Sequence, residues 1–457
     1  MVGLLHRSGV ARVCGDVFPA LARRHGVPGA QLAVHQDGRT VAVEIGVLEH
    51  GSGRPVTAGS AFPVGSISKW VTATVAMALV ADGDLELDAP VGECLPGLPE
   101  PAARVTLGQL LSHTAGWASD PAGADPAGAS LRRYVLDHCR PPNVVAEPGT
   151  AFSYSNLGYA LVGVLIETVS GMTWREATES VVLRPLGIQP GFVATTGAPA
   201  SPRPAAVGHS VNRLVGRTRP VAEVLAPADV VAGGLALSAE DLVTLGLLHV
   251  GPGRPAVLPA ADAGRMRRAA PGAVPFGLAD GWGLGLATFG SGPAWVGHDG
   301  NGTGTSSYVR IDPADGVVVA LTTNSNTGAG LWVELCAELA AVGVPVPPPR
   351  TWDAVAGSAA PPPAGAGTYR NGDMEYVLAV AEDGRLHLSA SGDEPTPVGC
   401  GPDLTFALRD PATGRHVLGG RFVRDPATGE IDALQIGGRL ARRQDRVRQP
   451  VGGRRPA

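Results

Sequence analysis

Alternation of apolar and polar positions along Gln31 to Val34 and Thr40 to Ile45, around an Asp37-Gly38 pair, predicts an antiparallel hairpin closed by a type I′ turn. Four more β-rich runs follow much later: Leu284 to Phe289, Trp295 to His298, Ser307 to Ile311 and Val317 to Thr322, the last two separated by Asp315-Gly316. Between these ends the apolar spacing lengthens to the helical period over Lys69 to Val80, Gly158 to Val169, Thr173 to Val182 and Ala239 to Val250. A further helix is expected over Gly330 to Val342. Strands contributed by both ends of a stretch whose middle is helical predict an α+β fold, one antiparallel sheet with a helical insertion.

The pattern changes after Val342. Prolines at 345, 347, 348, 349, 361, 362 and 363 bracket an Ala/Gly-rich segment that reads as a semi-rigid linker. Beyond it, Gly367 to Arg370, Tyr376 to Val380, Arg385 to Ser389, Leu404 to Leu408, His416 to Phe422 and Ile431 to Ile436 are short strands joined by turn residues, which predicts a separate antiparallel β-barrel or meander. The Arg-rich stretch Arg439 to Arg455 reads as solvated tail. The expected division is a first domain over residues 1–344, a Pro/Ala-rich linker over 345–364, a β-domain over 365–445 and a basic tail over 446–457.

Composition narrows the classes. Of 457 residues 44% are hydrophobic and 17% charged, with 64 glycines and 41 prolines, as in a globular, loop-rich protein. A net charge of −5 leaves no overall positive field to gather phosphates, so nucleic acid is not an expected partner. The five cysteines are odd in number and scattered, which suits reduced core thiols better than a disulfide frame. The 11 histidines include no His-x-x-x-His or Glu-x-x-His pair, so no metal site and no cofactor is expected. Neither a signal peptide nor a membrane span is visible, and a cytoplasmic protein is expected.

One composition count points to chemistry. Of 36 Lys and Arg residues a single one is lysine, Lys69. Arginine stays protonated, whereas a buried lysine can lose its proton and act as a base. Lys69 closes Ser66-Ile67-Ser68-Lys69 at the start of a predicted buried helix, and the i, i+3 spacing stacks Ser66 and Lys69 on one face. A hydroxyl needs a neighbouring base to become a nucleophile, and an amine one turn away provides it. Downstream, Tyr154-Ser155-Asn156 pairs a phenol, which a neighbouring ammonium would help to ionise, with an amide suited to a substrate carbonyl. His298-Asp299-Gly300 ends a β-run and opens a glycine-rich segment that would let a ligand approach the backbone. Taken singly, each site also suits a structural role: Ser66 and Ser68 as helix caps, Tyr154 as a buried phenol, Asn156 as a cap, His298 as a strand-end histidine.

Taken together, and with Leu110 to Trp117, Pro148-Gly149, Pro185 to Ile188 and Gly233 to Leu235, they make Val27 to Val342 resemble the serine β-lactamase and penicillin-binding-protein superfamily. The class C β-lactamase-like branch is the most similar, carrying Ser-x-x-Lys, Tyr-x-Asn and Lys-Thr-Gly or His-x-Gly in this order. The resemblance implies Ser66 as acylated nucleophile, Lys69 as its base, Tyr154 as proton shuttle, Asn156 as a substrate-binding amide and His298 as the third-motif residue. It also implies an oxyanion hole from the backbone N–H groups of Ser66 and Asn301, beside Gly300. Histidine where true β-lactamases commonly have lysine weakens recognition of a substrate carboxylate and argues against antibiotic hydrolysis as the main role.

The β-domain resembles the lipocalin-like domain appended to some members. Together with Cys14 to Val34 it makes the whole chain similar to penicillin-binding-protein-type thioesterases. That likeness implies transfer of a peptidyl group from a carrier-protein thioester of a nonribosomal peptide synthetase onto Ser66. Release would be head-to-tail macrolactamisation, with a D-residue at the acyl end. The alternatives are an esterase or D-amino-acid-specific peptidase of the same fold, and a non-catalytic ligand sensor. Arg439, Arg442 and Arg443 are the candidates for an arginine that approaches the serine.

Overall fold

The hairpin forms as expected, with β1 (Gly29–Gln36) and β2 (Arg39–Gly46) joined by Asp37 and Gly38, whose φ values of 51° and 72° are both positive, as a type I′ turn demands. In the computed structural model, which describes residues 9–123, 129–195, 203–290, 295–349, 362–382, 384–401, 403–409 and 416–444, this hairpin is one edge of a seven-stranded sheet. The other members are β3 (Gly281–Trp282), β4 (Ala287–Phe289), β5 (Trp295–Gly302), β6 (Thr305–Asp312) and β7 (Val317–Thr323). The order across the sheet is β2-β1-β7-β6-β5-β4-β3, and every pairing is antiparallel. Leu32 sits opposite Leu321, so strands from the two ends of the first domain are neighbours, with the helical residues inserted between them.

Both faces of this sheet are covered, which explains why β7 reads Val-Val-Val-Ala-Leu rather than alternating with polar residues. Val318 and Ala320 face the helical insertion, while Val317, Val319 and Leu321 face the terminal helix Gly328–Ala341 and the N-terminal helix Phe18–Arg24. At the centre of the insertion, helix Ile67–Asp82 is buried on every side from Ile67 to Leu79 and stops at Gly83, whose φ of 83° is the left-handed cap glycine accepts without strain.

Several boundaries differ from the sequence reading, for tertiary reasons. Leu284 to Phe289 is not one strand: Gly283 and Leu286 close a tight turn, and a Cβ on Gly285 would stand 2.3 Å from the Ala73 methyl, so the chain bends against the central helix. The helix expected over Thr173 to Val182 is Trp174–Ala177 followed by a wider π-type turn over Thr178–Leu183. That expected over Ala239 to Val250 tightens after Gly246 into a 3₁₀ turn, Leu247–His249. The five cysteines are all free thiols.

The second unit is a closed barrel of β8 (Gly367–Asn371), β9 (Met374–Val380), β10 (Leu386–Ala390), β11 (Thr396–Cys400), β12 (Thr405–Arg409), β13 (His416–Arg424), β14 (Ile431–Ile436) and β15 (Arg439–Arg443), each pairing with the next. It closes through Tyr369 opposite Arg443 around a core that includes Tyr369, Phe406, Phe422 and Leu434. Two of these strands are absent from the sequence reading. β11 contains Pro397 and Gly399, which mask its alternation. β15 lies in the stretch read as solvated tail: Leu440 and Ala441 point to buried positions while the flanking arginines cover the rim. The basic tail over 446–457 and most of the expected linker lie outside the described residues. Among the described residues no single helix is long and apolar enough to cross a membrane.

The barrel is pinned to the first domain by buried polar groups. Asn371, fully buried, accepts from the Ser119 backbone N–H at 2.8 Å and donates to the Ser153 hydroxyl at 3.3 Å. Gln435 donates to the carbonyls of Phe152 and Val274 at 3.3 and 2.9 Å. At Gly372, φ 62°, a Cβ would lie 1.7 Å from the Asp120 carbonyl, so only glycine allows the β8–β9 turn to meet that loop. An apolar patch of Ala118, Val145, Ala146, Ala433 and Leu440 fills the same junction.

Candidate active site

Ser66 precedes the first turn of the central helix with φ −62° and ψ −9°, and its hydroxyl makes no capping bond; Ser68 instead accepts the Leu235 backbone N–H. The Ser66 hydroxyl is therefore free for another partner, and it receives the Lys69 ammonium or amine at 3.1 Å. Lys69 is 1% exposed, donates also to the Ala232 carbonyl at 3.1 Å, and lies 4.9 Å from the Tyr154 ring centre. Burial pulls its pKa from 10.5 down to about 7; Asp120 and Asp229 oppose that fall and Arg439 assists it. The sole lysine is thus a group whose neutral amine is populated near pH 7.

Strand β5 is pressed onto the turn that carries Ser66. A Cβ on Gly65 (φ 52°) would stand 2.3 Å from the Asn301 carbonyl, and one on Gly300 would stand 1.9 Å from the Val64 carbonyl. On the side where a Cβ would stand, Gly300 packs against the serine turn, and its missing side chain brings the Asn301 backbone beside Ser66. Among the described residues the Ser66 backbone N–H makes no hydrogen bond.

Tyr154 and Asn156 flank Ser155, which is extended (φ −136°) and caps helix Asn156–Ser170 through its own hydroxyl. The Tyr154 side chain lines the same cavity as Ser66, and its backbone N–H donates to the Gly438 carbonyl of the barrel at 2.9 Å. Burial pushes the phenol above its ordinary value, so it is a neutral O–H donor and not the easily ionised group that proximity to an ammonium suggests. Asn156 donates to Asp120 at 2.9 Å, which fixes the orientation of its amide. His298, in β5 opposite Val309, donates from Nδ1 to the Asp299 carbonyl at 2.6 Å, leaving Nε2 as the unprotonated ring nitrogen. That atom is buried without a hydrogen-bond partner among the described residues, and burial lowers the ring's pKa to about 4.

These groups surround a cavity of about 330 Å³, within the range of small-molecule sites. Ser66, Tyr154, Asn156, His298 and Asn301 all line it, so distant stretches of sequence meet there. The opposite wall is apolar, from Leu278, Trp282, Ala287 and Phe289, with Asp299 held by the buried Arg310. Of the three arginines singled out from sequence, Arg439 lines the cavity, 5.6 Å from the Tyr154 ring centre. Arg442 pairs with Asp432, and Arg443 binds the carbonyls of the segment entering the barrel. Arg439 follows Gly437-Gly438, a turn signal after the alternating run Ile431 to Ile436, and that signal would have exposed the missing strand. Trp282, Phe289 and Asp120 carried no signal, because they reach the site only through packing.

The family profile described as Beta-lactamase matches residues 15–341. Penicillin-binding protein 4 of Amycolatopsis lactamdurans is 35% identical over 356 residues, covering 72% of this chain and 90% of that protein. Esterase EstB of Burkholderia gladioli is 30% identical over 358 residues, covering 68% of this chain and 89% of that one. The crystal structure of SurE superposes with a TM-score of 0.83 at 38% identity, covering 97% of this chain and 99% of SurE, and SurE has also been solved with D-Leu.

Proposed function

The chain belongs to the beta-lactamase family, and from that premise we propose that it is a serine acyltransferase that takes a peptidyl group from a carrier-protein thioester and releases it as a head-to-tail macrolactam. The observation that carries the acyl-enzyme chemistry is the buried Lys69 amine 3.1 Å from the Ser66 hydroxyl, with a pKa drawn down to about 7. Lys69 takes the serine proton as Oγ bonds to the thioester carbonyl carbon. The backbone N–H groups of Ser66 and Asn301 receive the carbonyl oxygen, and Tyr154 passes the proton to the departing sulfur. The carrier thiol leaves, and the peptide is held as an ester of Ser66. Its own N-terminal amine then attacks that ester, loses a proton to the same base, and closes the ring with Ser66 regenerated.

Cyclisation over hydrolysis is supported by the apolar lining residues Leu278, Trp282, Ala287 and Phe289, which offer water no hydrogen-bond partner apart from the Trp282 N–H. A tethered amine already has a high effective concentration. The extent of similarity to SurE, barrel included, and the D-Leu bound to that protein support a D-residue at the acyl end. Likeness to an esterase favours a second reading, hydrolysis of the same acyl-enzyme. The two are separated by incubating the protein with a linear peptide thioester bearing a C-terminal D-residue and weighing the products. A product lighter than the linear acid by one water is expected; linear acid alone establishes the hydrolase instead.

A further inference from the structure

His113 lies in Leu110 to Trp117, a stretch that supplies no reacting group, yet its φ of 56° puts it in the left-handed region that non-glycine residues seldom occupy. Its carbonyl accepts the Ser153 N–H at 2.9 Å and its Nδ1 accepts the Ser155 N–H at 3.1 Å. The amides on both sides of Tyr154 thus end on one residue, while Tyr154's own N–H ends on the barrel. Because Nδ1 accepts, the ring proton sits on Nε2, which is buried with no hydrogen-bond partner among the described residues. The imidazole lies against the Tyr154 phenol, ring centres 4.2 Å apart and planes 30° from parallel. Tyr159, Phe152 and Trp282 enclose it at 5.1, 5.6 and 5.3 Å. Burial holds the ring well below its ordinary pKa, so the stack joins two neutral rings.

We infer that His113 is a positioning residue: by gripping the backbone on either side of Tyr154 and stacking on its ring, it holds the phenol O–H where it hands the Ser66 proton to the departing group. This rests on the reading of Tyr154 as the proton carrier. A phenol free to tilt by a fraction of an ångström loses that transfer without altering the nucleophile, since Ser66 and Lys69 are on another element.

The test compares two esters of one N-acyl-D-amino acid, an ethyl ester whose alkoxide must be protonated as it leaves and a p-nitrophenyl ester whose phenolate departs unaided. His113→Asn keeps an acceptor and tolerates the left-handed backbone but removes the ring; His113→Phe keeps a ring and removes the acceptor. In both, kcat on the ethyl ester is expected to fall about 100-fold, the scale of one general acid, with KM changed less than about threefold and p-nitrophenyl turnover within about threefold of wild type. Equal losses on the two esters would mean general damage and overturn the inference, as would no loss on either. Tyr154→Phe serves as the control. If it lacks the leaving-group asymmetry, the proton-carrier reading falls and this inference with it. If it shows the asymmetry while the His113 variants do not, the inference alone fails. In the double variant His113→Phe/Tyr154→Phe the ethyl-ester loss is expected to equal that of Tyr154→Phe, and additive losses contradict coupling through the phenol.

Discussion

At the scale of the residue, the site is organised around one amine that the fold has made expensive to protonate. Its pKa near 7 sets an acidic limb: kcat/KM for acylation is expected to rise about tenfold per pH unit below 7 and level off above it, as the neutral amine becomes populated. A pH profile flat from about 5 to 8 would remove Lys69 as the base. The same shift is a statement about stability. Between the folded value of about 7 and the ordinary 10.5, the unfolded chain holds a proton that the folded chain does not, so folding gains as pH rises through that window. Against Lys69→Met, the wild type is expected to gain about 1.4 kcal/mol per pH unit between about 8 and 10, measured by urea unfolding of both proteins. Acylation in that variant falls by about 10³-fold or more. Methionine is the cleaner probe than arginine here. The side chain is enclosed, its nitrogen fixed at 3.1 Å from both Ser66 and Ala232, and a guanidinium adds volume that the packed core has no room for.

At the scale of the element, two contacts between backbones decide whether the motifs form a site. Helix Ile67–Asp82 supplies Lys69, the residue before it is Ser66, and β5 supplies His298 and Asn301. They meet only because Gly65 and Gly300 have no side chains at the crossing. Gly300→Ala places a methyl against a carbonyl that has nowhere to go. The expected result is destabilisation by about 3 kcal/mol and a loss of acylation larger than the loss of folded protein, read from thermal unfolding and a single-turnover burst. In the sequence Gly300 reads as a place for a ligand to approach the backbone, and Gly65 carries no signal of the crossing. A glycine's need for space is legible in sequence, whereas what fills the space is not.

At the scale of the whole molecule, the barrel is part of the site's construction. Asn371 reaches across to Ser119 and Ser153, Gln435 to Phe152, and Gly438 to Tyr154, so the Tyr154 segment is held from the side of the second unit. Asn371→Leu leaves a buried N–H and hydroxyl without that partner. A cost of about 2–4 kcal/mol is expected, with at least a tenfold fall in kcat/KM and a separation of the two units' melting transitions by calorimetry. A single unchanged transition with full activity would show the barrel to be an appendage.

What the sequence determined by itself is what short range determines. Periodicity gave the hairpin, the central helix and most of the barrel, and the helical spacing of Ser66 and Lys69 gave a hydroxyl and an amine in contact, the pair we propose as nucleophile and base, because neighbours along a helix are neighbours in space. Tertiary structure decided the rest. Lys69 has a neutral form near pH 7 only when desolvated, Tyr154 stays a phenol for the same reason, and Arg439 lines the cavity only because the last strand closes the barrel beside it. Protonation depends on the dielectric and charges supplied by residues hundreds of positions away, and no local pattern encodes which surfaces will exclude water from which amine.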